Sequence, residues 1–468
     1  MTLTSPRAAA PLLPVLPVVA VVAALALPIA QGAEGGATPA DAVSGLLVLW
    51  CAVRLLRDRR RPLTRTAAVV LGLPVCGLAL AAAGAGDPGE GIAGLGRYLQ
   101  IFVLVPMAVL LCVRSRADFR VVAWSFVGLA LWQGAVGVHQ YATGTGASYA
   151  GEDIRAVGTF GAGDVMGMAT VVSFGLVCAV GLALAPATAR QRVWAVACSV
   201  LLVLPLAVSF SRGAWIATAV ACSLQVVLAG LRRAVVVFAA VAAVGVVLVG
   251  GLGIGSSMIQ DRISSITQVA DAPDQSVTDR YTMWAAAVGM WSEQPLDGVG
   301  LKGFPEHRDG HASLALSAGS DIAGAGTAYQ KQPLLSPHNM YLLVLSEQGL
   351  IGLLTLGGSW LALAVCGVRG LARVRREGAA VTGAWTGTRA EAGTGTRAGG
   401  LDCGLVACGL ISWVLVDFMY ADIGGPTTVL TAVCFGLVAW WALADRTATG
   451  AAPVGAPAAR VPEGAGAR

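Results

Sequence analysis

The sequence predicts an all-α, polytopic integral membrane protein, and three observations predict it. Hydrophobic residues make up 56% of the 468-residue chain and charged residues only 12%, about half the ~25% that coats a soluble domain. Apolar runs near the roughly 20 residues needed to cross a bilayer recur along the whole length. Arginines gather in alternate loops between those runs, the pattern that marks cytoplasmic loops. With a mean hydropathy of +0.73, a cytosolic enzyme and a disordered chain are both excluded.

Twelve spans are expected in order, at 11–30, 40–56, 67–85, 95–113, 121–141, 164–186, 193–210, 214–230, 234–254, 340–368, 401–420 and 426–444. The first has a signal-peptide look, but it is long and more spans follow, so it reads as a retained helix. One face collects Arg57 to Arg65, Arg114 to Arg120, Arg190 with Arg192, Arg232 with Arg233, and Arg369 to Arg397. With Arg7, Arg54 and the C-terminal arginines this makes 23 of the 31 cations. That face is assigned to the cytoplasm together with both termini, and the protein to the cytoplasmic membrane.

Residues 1–254 therefore hold spans one to nine, 255–339 form a large external loop with an interfacial helix, and 340–444 hold spans ten to twelve. Residues 369–400 read as a flexible cytoplasmic linker and 445–468 as a disordered tail. The ten cysteines all fall inside expected helices without a CxxC pair, and read as small apolar filler.

Polar chemistry concentrates on the outer side. Ser336-Pro337-His338-Asn339 opens span ten. Ser336 is expected as its N-cap and Pro337 as its first residue, which puts His338 in the first turn. The positive helix end would keep the ring neutral and able to take a proton from an alcohol. The bland alternative is an interfacial histidine that only hydrogen-bonds. Phe210-Ser211-Arg212-Gly213 is a tight outer turn that holds Arg212 near the rim of the bundle. A guanidinium there calls for an anion, and phosphate fits its planar fork best; snorkelling to the headgroups is the alternative.

Arg280, Trp284, Ala287 and Trp291 share one helical face, which suits the membrane interface. An Asp279–Arg280 surface contact is the unremarkable reading of that helix start. Arg155, in the loop before span six, offers a third anion contact. Asp417, near the outer end of span eleven, is placed to pair with a site arginine, and Arg97 to line a lipid groove. His307 and His311 are four apart, but Gly303, Pro305 and Gly310 argue against a continuous helix and so against a metal pair.

Taken in order, Arg155-x-x-Gly158-x-Phe160, Ser211-Arg212-Gly213, Arg280 with Trp284, Gly298-Val299-Gly300, Pro337-His338-Asn339 and Glu347-Gln348-Gly349-Leu350-Ile351-Gly352 resemble the O-antigen ligase/O-antigen polymerase superfamily of polytopic glycosyltransferases. The resemblance is most specific over about 205–360. It implies glycan transfer outside the cytoplasmic membrane, from a polyprenyl (undecaprenyl) diphosphate-linked donor to a hydroxyl on a glycan, lipid or protein acceptor. It implies no metal or other cofactor and no nucleic acid partner. By motif, Arg212 and Arg280 would bind the diphosphate with Arg155 beside them, and His338 would deprotonate or orient the acceptor. Ser211, Asn339, Asp417, Arg97 and Trp284 would support them. Ligase and polymerase are not separated by these motifs. A transporter or flippase of lipid-linked glycan is the alternative from another class, and it would need charges along the depth of several helices, which are scarce here.

Overall fold

The computed structural model describes residues 14–28, 38–58, 63–149, 155–161, 164, 166–184, 188–247, 275–324, 330–383 and 400–444. Its helices are α1 (Leu16–Ala24), α2 (Pro39–Asp58), α3 (Arg65–Ala83), α4 (Pro88–Cys112), α5 (Arg116–Thr143), α6 (Gly167–Leu184), α7 (Ala189–Ala207), α8 (Arg212–Ala229), α9 (Leu231–Gly245), α10 (Gln275–Glu293), α11 (Phe304–His311), α12 (Met340–Glu377), α13 (Leu401–Asp417) and α14 (Thr428–Leu443). Among the described residues eight, α2 to α8 and α12, are long and apolar enough to cross a membrane. The chain is a multi-pass membrane protein. The other four expected spans coincide with shorter helices, α1, α9, α13 and α14, of 9, 15, 17 and 16 residues.

Helices α6, α13 and α14 are apolar on every side and form the centre of the bundle, where nearly every residue is buried. An aromatic knot closes this core toward the end that carries His338. Trp360 of α12 lies 5.4 Å from Phe102 of α4, 5.1 Å from Phe418 after α13, and 6.3 Å from Phe435 of α14, centroid to centroid. Such contacts add to burial and fix the relative rotation of four segments.

Helix α12 is broken at Gly349, whose φ of 62° and ψ of −162° leave the helical region. The freed backbone is paired with the stretch that follows α10. Val299 N donates to Ser346 O at 2.9 Å and Gly300 N to Glu347 O at 3.0 Å. In return Leu350 N donates to Pro295 O at 2.9 Å and Ile351 N to Leu296 O at 3.1 Å. Non-helical backbone at this position is tolerated because protein groups satisfy it. A Cβ on Gly349 would overlap the Leu296 carbonyl, and one on Gly298 would stand 2.5 Å from the Glu347 carbonyl carbon. The Gly298-Val299-Gly300 and Glu347-Gln348-Gly349 motifs are thus two halves of one joint.

Three features depart from the sequence reading. The loops after α5 and after α11 carry a small antiparallel sheet, β1 (Ala147–Tyr149), β2 (Ser320–Gly324) and β3 (Gln330–Gln332), in that order, with Ser148 opposite Ala323 and Asp321 opposite Lys331. Helix α11 forms despite its glycines, because Pro305 falls in the first turn, where no intrahelical donor is needed. Third, helix continues from α12 through Gly383, across the first half of the expected linker. The remainder of that linker (384–399), the 255–274 part of the external loop and the 445–468 tail lie outside the described residues.

Candidate functional site

The site is built from α10 and the turn that leads into α12. Asp279, only 4% exposed, accepts from Gln275 Nε2 at 2.8 Å, from Ser317 N at 2.8 Å and from Ser317 Oγ at 2.6 Å. It pins α10 to the loop after α11, and it is buried, so it is not the surface residue the sequence suggested. One turn after Arg280, Trp284 donates its indole N–H to Pro337 O at 2.8 Å. Trp291 donates to Pro295 O at 3.3 Å. Both indoles therefore hold neighbouring turns, where the sequence suggested two tryptophans turned to the membrane interface.

His338 precedes α12 and does not enter its first turn. The N-cap is Asn339, whose Oδ1 accepts from Tyr341 N at 3.0 Å and Leu342 N at 3.1 Å, while its Nδ2 donates to Met419 O at 3.1 Å. Asn339 wins over Ser336 because the loop after α13 offers it and Met340 several partners. Met340 N reaches Phe418 O at 2.8 Å and Ala421 O at 3.1 Å. Ser336 instead donates its hydroxyl to Asp422. The price is backbone strain at His338, which takes a φ of 48°, a region that non-glycine residues rarely adopt.

This conformation turns His338 Nδ1 toward Asp422 Oδ2, 3.9 Å away. Burial pulls the imidazole below its ordinary pKa; the Asp422 carboxylate opposes this and the Arg280 charge reinforces it. Asp422 was missed by sequence reasoning. Its only signal is an acid in the short turn Ala421-Asp422-Ile423-Gly424 that follows α13.

Asp417 is buried beside Asp422, not beside an arginine. With Asp164, Thr170 and Thr428 these two acids line a cavity of about 60 Å³. Burial lifts the Asp164 carboxyl to about 7, against the backbone N–H groups of Gly167 and Met166 that favour its anion.

Arg212 is the first residue of α8 and is exposed. Its neighbour Ser211 is the buried N-cap, accepting from Ala214 N at 3.3 Å. Gly213 packs on Tyr420, to which an added Cβ would approach within 3.2 Å; the Arg212 turn therefore abuts the segment that carries Asp422. Arg155 is held by its backbone, which exchanges bonds of 3.0 and 2.8 Å with Ala147, and the next residue, Ala156, donates to Val208 O at 3.2 Å. The Arg155 and Arg212 segments are thereby joined. Arg97 is engaged in the bundle: it pairs with Asp41, donates to Gln100 Oε1 at 3.0 Å and reaches Gly425 O at 3.2 Å. That use ties α2 and α4 to the loop after α13.

The structure therefore gathers His338, Asn339, Trp284 and Asp422 in one place with the Arg280 charge acting on it. The Ser211–Arg212 turn and Arg155 form an adjoining group, and Arg97 is paired with Asp41 while reaching Gly425 O in the loop that carries Asp422. His307 Nδ1 is bonded to Gly303 O and His311 Nδ1 to His307 O, each at 2.9 Å, and no group of three metal-type ligands occurs among the described residues.

Residues 197–357 match the model of the family described as O-Antigen ligase. That stretch contains Ser211, Arg212, Arg280, Trp284, His338 and Asn339, and the match supports the superfamily resemblance carried by the motifs. No curated protein matches the chain.

Proposed function

We propose that this chain, a membrane protein with an O-antigen ligase-type region, transfers a glycan from a polyprenyl-diphosphate donor to an acceptor hydroxyl on the outer face of the cytoplasmic membrane. The observation that carries the reading is the setting of His338: a half-buried ring whose pKa desolvation and the Arg280 charge hold below the ordinary value, with Nδ1 turned to Asp422. A neutral imidazole oriented by a carboxylate through one nitrogen is free to act as base through the other.

In the proposed step the acceptor oxygen attacks the anomeric carbon while its proton passes to His338 Nε2. The bond from that carbon to the diphosphate oxygen breaks, and the leaving group carries away the electron pair. Asp422 stabilises the imidazolium that forms. Arg280, Arg212 and Arg155 receive the charge growing on the diphosphate, where fixed guanidinium donors in a poorly hydrated site act most strongly. One displacement of this kind inverts the anomeric centre. Asn339 and Trp284 position the histidine turn, and Ser211 positions Arg212.

Lipid-linked intermediates and surface glycan from a deletion strain test the proposal. Accumulated single lipid-linked repeats mark a polymerase, and accumulated long lipid-linked chains a ligase. Intermediates left facing the cytoplasm would overturn the transferase reading in favour of a flippase.

A further inference from the structure

At the end of the bundle opposite His338, α2 and α4 finish side by side. Their other ends are joined near the site by Arg97, which links Asp41 to Gly425. At the far end Cys51 Sγ lies 3.6 Å from Cys112 Sγ, both thiols buried, and they floor a cavity of about 300 Å³. Its walls include Trp50, Arg54, Asp58 and Arg114. The Arg54 guanidinium lies 5.5 Å from the centroid of the Trp50 ring, which holds it over the opening. Arg54 and Arg114 both line the cavity, so the two cations share one space. The opposing charge is Asp58, whose Oδ2 stands 3.7 Å from Arg54 Nε. Two guanidiniums against one carboxylate leave the lining positive.

The outer surface of α2 continues from this cavity as an apolar stripe. Leu46, Leu49, Trp50 and Val53 are 65, 59, 39 and 40% exposed, and their spacing puts them on one helical face. A free phosphate would use the cations and leave the stripe idle; a lipid uses both. Tryptophan and arginine together mark headgroup depth, and a basic pocket between spans selects anionic headgroups.

We propose that this cavity seats the phosphate-bearing headgroup of an anionic phospholipid, with its acyl chains laid along the Leu46–Leu49–Val53 face of α2. The site lies away from the proposed catalytic groups and does not depend on their assignment.

The test uses the full chain purified in detergent, with phosphatidylglycerol or phosphatidylcholine added, read by native mass spectrometry and by thermal unfolding. Phosphatidylglycerol is expected to stay bound and to raise the unfolding midpoint, and phosphatidylcholine to do neither. The double variant Arg54→Gln/Arg114→Gln should bind phosphatidylglycerol about tenfold or more weakly, while its lipid-free midpoint stays at the parent value. Asp58→Asn, which removes the competing carboxylate, should bind it more tightly and serves if the double variant fails to fold. Equal retention of the two lipids would overturn the proposal. So would an Asp58→Asn protein with unchanged or weaker binding, or displacement of the lipid by an equal concentration of inorganic phosphate.

Discussion

Trp284 gives its indole N–H to the carbonyl of Pro337 at 2.8 Å, so the helix that carries Arg280 and the turn that carries His338 are joined one turn from the first and one residue from the second. Trp284→Phe keeps the ring volume and removes only this bond. Losing it costs about 1 kcal/mol, a fall of about fivefold in transfer rate, if the bond serves to position the imidazole. The comparison to make is glycan transfer per inserted protein, with unfolding midpoints alongside.

His338→Ala should lower transfer by about a hundredfold or more with the protein still inserted and abundant. Arg280→Lys should recover little of what Arg280→Ala loses, because a point charge lacks the planar fork. Normal polymer or conjugate from the His338 variant in a deletion background contradicts the assignment.

Two substitutions should move the acid limb of the pH profile in opposite directions. A base must be neutral, so activity falls as pH drops through the His338 pKa, which lies below the ordinary histidine value. Arg280 pushes that pKa down and Asp422 pushes it up. Arg280→Gln therefore shifts the acid limb to higher pH, and Asp422→Asn shifts it to lower pH while also reducing the maximum. Rate measured against pH for both variants decides this; shifts of the same sign would remove His338 as the titrating base.

Gly349→Ala should cost several kcal/mol of stability, on the order of the largest single-site effects. The new methyl meets the Leu296 carbonyl and the backbone keeps a φ of 62°. Gly128→Ala is the control, since an added Cβ there has nothing within 4 Å. Unfolding in detergent, followed by heating, should separate the two clearly.

Arg97 and Asp41 should behave as a structural pair. Arg97→Gln alone leaves the largely buried Asp41 carboxylate uncompensated, at a cost of about 3 kcal/mol, whereas Arg97→Gln with Asp41→Asn should regain much of that stability. Donor binding by the folded double variant is expected to match the parent.

Eight of the expected spans were legible because their signal is additive: length and hydropathy need no knowledge of tertiary contacts. The turn around His338 was legible only in part. Both Ser336 and Asn339 are good caps locally, and the choice between them is made by Met419, Phe418 and Ala421, which come from a distant part of the chain. Asp422 was illegible for the same reason, since its link to Ser336 exists only once α13 packs beside α12. The pairing of Arg97 with Asp41 was not legible, because the two residues are brought together only when α2 packs beside α4. The two glycine motifs were visible as patterns, but nothing local says that they close on each other.

The joint at Gly349 has a mechanical consequence. Ser346 and Glu347 give their carbonyls to Val299 and Gly300, and the return bonds from Leu350 and Ile351 complete a four-bond clasp. Swinging the 295–301 stretch aside would break all four of these backbone bonds at once. The 295–301 stretch and the break in α12 are consequently bound to move as one body.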